Sequence, residues 1–206
     1  MRQALFGGSF DPLHNGHLAM IRAALERDLA ERVLVVPAGQ NPMKGAACAP
    51  AADRLRMAEL GTAGLPGVRV LDLEARRGGV SFTVDTLELL VRERPDDAFL
   101  VMIGADNLAE FAAWQRPERI LALARLLIFP RGGEPRLSAA LAGRAEVVHG
   151  FAAPVSATTV RALLAAGGRP DELVPAAVLD YIEAHGLYRT APEPETRPGE
   201  AGGRCR

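Results

Sequence analysis

Two histidines, His14 and His17, close the segment Gly7-Gly8-Ser9-Phe10-Asp11-Pro12-Leu13-His14-Asn15-Gly16-His17. Their spacing of three puts both imidazoles on one side of the turn that starts a helix, where the rings can donate hydrogen bonds to phosphate oxygens. Gly7 and Gly8 have no Cβ, so an anion can approach the backbone closely, and the free N–H groups of a helix start add a positive dipole end. Taken singly these parts are weak signals, because Gly-Gly, Asp-Pro and an HxxH spacing all occur in ordinary turns. As a zinc site the pair lacks a third ligand, since His149 and His185 are far along the chain.

A second group follows at Pro154-Val155-Ser156-Ala157-Thr158-Thr159-Val160-Arg161. Ser156 or Thr158 is a natural N-cap, and Arg161 lies one turn inside on the side of Thr158. Alone, this segment reads more simply as a capped helix with a solvated arginine. Ser81 and Thr83 are placed to cap a helix starting near Val84, whose N-terminal dipole favours a carboxylate by ~0.3–1 kcal/mol in an exposed setting; a plain helix cap is the alternative. Asp106, just beyond Gly104, can accept a hydrogen bond from a ribose hydroxyl or cap its own helix, while Gly104 leaves room for a nucleotide against the backbone. Trp114, the only tryptophan, is either a flat face for a ring or a core anchor. Lys44, the only lysine among 24 cationic residues, sits in a loop after the second strand and suits a phosphate as a point charge. Arg131, after the fifth strand, is a further phosphate candidate.

These residues need a frame that brings distant loops together. Apolar β-type runs occur at residues 4–6, 33–36, 68–73, 99–103, 126–129 and 146–148. Helical spacing lies between them: Leu18, Ile21, Ala24 and Leu25 share one face, Leu55, Met57, Ala58 and Leu60 a second, and Val84, Leu87, Leu90 and Val91 a third. Alternating strands and helices predict an α/β fold with a parallel sheet covered on both faces, and the all-apolar run 99–103 suits a central strand. In such a sheet ligands bind outside the carboxyl ends of the strands, where the His14–His17 turn falls. Residues 160–166, stopped by Gly167-Gly168, and a helix opened by Pro175 and stopped by Gly186 predict a small C-terminal helical region. Residues 1–190 are therefore expected to form one domain, and 191–206, rich in Pro, Gly and charge, a disordered tail.

The 206 residues carry a formal net charge of -1, 49% hydrophobic and 24% charged residues. That composition excludes wholesale disorder and gives no extended field for a nucleic-acid backbone, so the expected partners are small molecules. Two cysteines, Cys48 and Cys205, build neither a disulfide framework nor a cysteine zinc site. No signal-peptide pattern and no 18-residue apolar run occurs, which predicts a cytoplasmic protein without membrane contact. Neither GxGxxG nor GxxxxGK[ST] is present, so a phosphate site must be built another way. Oligomeric state is not legible.

The segment GGSFDPLHNGH resembles the signature of the HxGH nucleotidyltransferase superfamily. Residues 155–161 resemble its ISSTxxR motif, with Val155 for Ile and Ala157 for the second Ser. This likeness implies a doubly wound, Rossmann-like parallel sheet with ATP as substrate. It places ATP against Gly7, Gly8, Ser9, Phe10, His17, Gly104, Asp106, Ser156, Thr158 and Arg161, with His14, His17, Lys44 and Arg161 as the catalytic groups. Residues 77–87, with Phe82 where Tyr is frequent, and the run from Gly104 through Asp106, Phe111 and Trp114 resemble segments of bacterial nicotinate-mononucleotide adenylyltransferases. The loop holding Lys44 resembles PxHK, with Met43 in place of the histidine. The resemblance runs from about residue 4 to 188. It implies transfer of the ATP adenylyl group to nicotinate mononucleotide, giving deamido-NAD and pyrophosphate, with Mg²⁺ arriving on the ATP. Ser81, Phe82, Thr83, Trp114 and Arg131 are the implied acceptor residues. A nicotinamide-mononucleotide or dual-specificity enzyme is the close alternative, and a nucleotide-binding regulatory module without turnover the distant one.

Overall fold

A computed structural model of the chain describes residues 1–40, 47–130, 133 and 135–189. Lys44, Met43, Arg131 and the 191–206 tail lie outside the described residues. Strands β1 (Arg2–Gly8), β2 (Arg32–Pro37), β3 (Val68–Val70), β4 (Ala98–Gly104), β5 (Ala124–Phe129) and β6 (Ala145–Val147) form one parallel sheet in the order β3-β2-β1-β4-β5-β6. The helices are α1 (Asn15–Glu26), α2 (Ala51–Thr62), α3 (Leu73–Arg77), α4 (Thr83–Glu93), α5 (Ala105–Glu110), α6 (Pro117–Leu123), α7 (Ala157–Ala165) and α8 (Ala176–Ala184).

The four inner strands, β2, β1, β4 and β5, each carry a continuous apolar run because both faces of the sheet are covered. Side chains alternate along β1, so Ala4 and Phe6 enter one core while Leu5 enters the other. The first core is closed by Leu18 and Ile21 of α1, Met57 of α2, Val160 of α7 and Val178 of α8. The second is closed by Val84, Leu87 and Leu90 of α4 and Ile120 of α6. This is the doubly wound sheet that the alternating pattern predicts, with 99–103 central between β1 and β5. After β1 the chain turns toward β2 and β3, and after β4 toward β5 and β6. The crevice beyond the carboxyl ends of β1 and β4 is therefore the switch point where such sheets hold ligands.

Several boundaries differ from the sequence expectation. The third strand is only Val68–Val70, and residue 73 already begins α3; β3 pairs with β2 alone, so its second edge offers no ladder to extend it. The last strand is shifted by one residue to Ala145–Val147, also at an edge. Of the two N-caps the sequence offers for α7, Ser156 is the one used: its hydroxyl accepts a bond from Thr159 N–H at 3.1 Å, so the helix begins at Ala157. Pro175 caps α8 from outside rather than opening it. In α2 the buried residues are Arg54, Met57, Ala58 and Thr62, so the face is rotated away from Leu55 and Leu60. No described helix is long and apolar enough to cross a membrane.

Candidate active site

The β1–α1 turn forms one wall of the crevice. His14 occupies the N-cap position of α1 and is 2% exposed. Its ring stacks on His17 with centroids 3.7 Å apart and planes 18° from parallel. His14 N–H donates to His17 Nδ1 at 3.2 Å, which makes Nδ1 an acceptor and leaves the proton of that ring on Nε2. Beneath His17 lies Phe10, 2% exposed, edge-on at 4.9 Å. Phe10 is thus mainly a support for the imidazole, and it also explains Gly8, where a Cβ would come within 3.1 Å of the Phe10 ring. At Gly7 a Cβ would meet nothing within 4 Å, so there the missing side chain leaves open space for a ligand.

Behind this turn stands a buried polar scaffold that the sequence reading did not single out. The Arg54 guanidinium, 2% exposed, donates to the carbonyls of Ser9 at 2.7 Å, Gly39 at 2.8 Å and Ala49 at 3.1 Å. Burial pulls its pKa down, and the charge of Asp11 opposes that pull. The Asp11 carboxylate accepts from Cys48 N–H at 2.8 Å, Ala49 N–H at 3.1 Å and the Tyr188 hydroxyl at 2.7 Å. Burial, and then the bond to Asp11, push the Tyr188 phenol well above its ordinary value. Arg54 left a legible trace: it stands three and four residues before Met57 and Ala58, on the buried face of α2. Tyr188 and Asp11, 177 residues apart, left none.

The opposite wall is the start of α7. Ser156 is its N-cap, and Arg161 donates to the Asp11 carbonyl at 2.7 Å and to Thr158 Oγ1 at 3.5 Å. The two helix starts are thereby tied together across a cleft of about 420 Å³, bordered by His14, His17, Asp106, Ser156, Thr158 and Arg161. Gly104 takes the N-cap position of α5, and Asp106 follows in the first turn. The Asp106 carboxylate folds back over Gly104, where any Cβ would collide with it.

A smaller cavity of about 180 Å³ adjoins the cleft and shares with it Phe6, Gly7, Gly8, Ser9, Gly104 and Asn107. Its own walls include Glu74, Ser81, Phe82, Thr83, Trp114 and Gln115. Trp114 is partly exposed and tilted against Phe111 at 5.4 Å, so it is neither a core anchor nor a free surface ring. The expected capping by Ser81 and Thr83 is corrected: Phe82 is the N-cap of α4, Thr83 its first residue, and Ser81 lies outside. Ser81 is turned inward instead, 5% exposed, with its hydroxyl buried and without a hydrogen-bond partner among the described residues. Glu74, also missed from sequence, accepts from Thr86 Oγ1 at 2.7 Å, and burial raises its carboxyl above the usual range.

No group of three His, Cys, Asp or Glu able to hold a metal occurs among the described residues. Asp11, the most enclosed carboxylate of the cleft, already spends its oxygens on three donors. The described residues therefore do not fit a protein-held divalent ion.

Residues 5–163 match the family model described as cytidylyltransferase-like. A protein of Gemmatimonas aurantiaca named "Probable nicotinate-nucleotide adenylyltransferase" is 37% identical over 199 residues, covering 93% of this chain and 94% of its own. A protein of the same name from Roseiflexus sp. is 41% identical over 90% of this chain and 96% of its own. The structure titled "Plasmodium falciparum nicotinic acid mononucleotide adenylyltransferase complexed with NaAD" aligns with a TM-score of 0.75 at 18% identity, over 91% of this chain and 97% of that one, a likeness of fold.

Proposed function

The chain belongs to the cytidylyltransferase-like family and, within it, to the nicotinate-nucleotide adenylyltransferases, and from this we propose that it transfers the adenylyl group of ATP to nicotinate mononucleotide. An oxygen of the acceptor 5′-phosphate attacks the α-phosphorus of ATP. The bond from that phosphorus to the bridging oxygen of the β-phosphate breaks, releasing pyrophosphate and leaving nicotinate adenine dinucleotide. The observation that carries the reading is the pairing of two helix starts, α1 with its stacked histidines and α7 with Ser156, Thr158 and Arg161, beside an aromatic cavity.

The attacking phosphate is already an anion, so the protein needs no general base. It has to align two anions and neutralise the charge that grows on the departing pyrophosphate. His17 Nε2–H, the N–H groups of α1 and α7, and Arg161 are the donors suited to that task, with His14 holding the His17 ring in place. Lys44 is assigned to the same phosphates on sequence grounds. Gly104 and Asp106 would meet the ribose of ATP. Trp114 and Phe82 would enclose the pyridine ring, Ser81 and the start of α4 would meet its carboxylate, and Arg131 would serve the acceptor phosphate. Magnesium would arrive as part of the substrate, Mg·ATP, and would neutralise charge on the phosphates.

Pyrophosphate release with Mg·ATP tests this, comparing nicotinate mononucleotide, nicotinamide mononucleotide and phosphopantetheine under identical conditions. The expected result is a tenfold or greater preference for the nicotinate substrate, worth about 1.4 kcal/mol. Equal rates with the first two would make the enzyme dual-specific, and no release with any acceptor would overturn the reading.

A further inference from the structure

The acceptor cavity has an electrostatic problem. Glu74 stands on its wall, and α4, whose first residue Thr83 borders it, carries Asp85 in its first turn and Glu88 one turn further on. Carboxylates this close to the start of α4 offset the dipole that would otherwise favour the carboxylate of an acidic pyridine ring there.

Arg116 answers this from the other wall. It directly follows Trp114 and Gln115, both of which border the cavity. Its guanidinium crosses to α4 and donates to Asp85 Oδ1 at 2.9 Å and to both oxygens of Glu88 at 3.2 Å. Arg119 completes the group with a bond to Glu88 at 2.9 Å. Bonds from Arg119 and Arg116 hold the Glu88 carboxyl below its ordinary range. To make this reach, Arg116 adopts the left-handed backbone, φ 49° and ψ 57°, which a non-glycine residue occupies only when its surroundings compensate. The bridge is the polar tie between the segment carrying Trp114 and the helix whose start carries Phe82 and Thr83.

We propose that Arg116 is a positioning and specificity residue for the acceptor: by bridging Asp85 and Glu88 it holds the Trp114 wall against the start of α4 and cancels the charge that would oppose a pyridine carboxylate. The proposal rests on the acceptor reading of this cavity, and its first test does not depend on turnover. Trp114 is the only tryptophan, so its emission reports the wall directly. In Arg116→Asn the left-handed backbone is still tolerated but the fork is lost. Acrylamide quenching of Trp114 in the free enzyme should rise about twofold or more, and raising salt from 0.05 to 0.5 M should produce part of that rise in the wild type and none in the variant. Unchanged quenching in Arg116→Asn overturns the bridge whatever the substrate is.

Kinetics then test specificity. In Arg116→Asn the KM for nicotinate mononucleotide should rise about tenfold, that for nicotinamide mononucleotide no more than about threefold, and that for ATP hardly at all, with kcat at saturation within about twofold. Arg116→Lys should fall between, because the charge remains without the bidentate geometry. Glu88→Gln should change the acceptor KM clearly in the wild type and negligibly in the Arg116→Asn background. Equal rises for both acceptors, or for ATP as well, would overturn the specificity assignment. Loss of acceptor turnover in the wild type itself would instead strike the proposed reaction and leave the quenching result standing.

Discussion

The two halves of the crevice are held in place by different physics. On the side of His14, His17 and Arg161, the supporting bonds are buried or half-buried and run largely to backbone: Arg54 to three carbonyls, Asp11 to two amides, Arg161 to one carbonyl. Around Trp114 the ties are side chain to side chain and exposed, with Arg116 and Arg119 meeting Asp85 and Glu88. Buried charge-assisted bonds to backbone lock one geometry and leave costly orphans when broken. Exposed ion pairs are weak singly, screened by salt and easily rearranged. A triphosphate calls for a rigid cradle, because donors must already point at charge that develops in the transition state. A ring acceptor calls for a wall that can adjust.

The sharpest test of this contrast is His17→Ala. It should lower kcat by about 10²–10³-fold, the usual cost of one preorganised donor, with circular dichroism and thermal midpoint near wild type. A rate near wild type in a folded variant would remove the histidine wall from the chemistry. Next is Arg54→Met, expected to cost about 2–3 kcal/mol in urea unfolding, because three carbonyls, buried or half-buried, lose their donor together. A loss below about 0.5 kcal/mol would erase the difference between the two halves.

Trp114→Ala should follow, raising the acceptor KM about tenfold, or about 1.4 kcal/mol, while the ATP KM stays nearly constant. Equal effects on both substrates would assign Trp114 to the common frame. The smallest effect is expected at Glu74. Its carboxyl is raised in the folded chain by burial, against an ordinary value of 4.5, with the Thr86 bond only partly opposing. Ionising it therefore costs more in the folded than in the unfolded state. Its contribution to stability is intact below about pH 4.5 and is lost as pH rises through the elevated value. Glu74→Gln retains an acceptor for Thr86 Oγ1, so it should raise the thermal midpoint near pH 7 and lose that advantage below about pH 4.5. A gain independent of pH would point to packing instead.

Much of the phosphate side was legible because it is local. A strand ending in Gly7-Gly8, histidines three apart, and Ser156 with Thr158 and Arg161 within two turns each sit inside one stretch of chain, where helix geometry fixes their relative positions. The acceptor side was legible only in part. Trp114, Phe82 and Thr83 were named, but the capping expected of Ser81 failed, since a one-residue difference in where α4 begins leaves Ser81 outside the helix with its hydroxyl buried behind the cavity wall. Arg116 escaped altogether: its partners are 28 and 31 residues away, and nothing in PERI or TVDTLEL signals that they meet.

What the sequence by itself determined was therefore each element and its chemistry: apolar runs that become strands, periodic faces that become helices, and glycine, histidine and hydroxyl groups at the helix starts. Those properties depend on neighbouring residues, through backbone dihedrals and the periods of strand and helix. The order β3-β2-β1-β4-β5-β6 was decided only in the tertiary structure, and with it the meeting of the β1–α1 turn with α7 and of α4 with α6. The same holds for the desolvation that gives Arg54, Asp11 and Glu74 their roles. Such contacts join residues dozens to more than a hundred positions apart, and they form only when burial of both sheet faces repays the entropy of bringing those segments together.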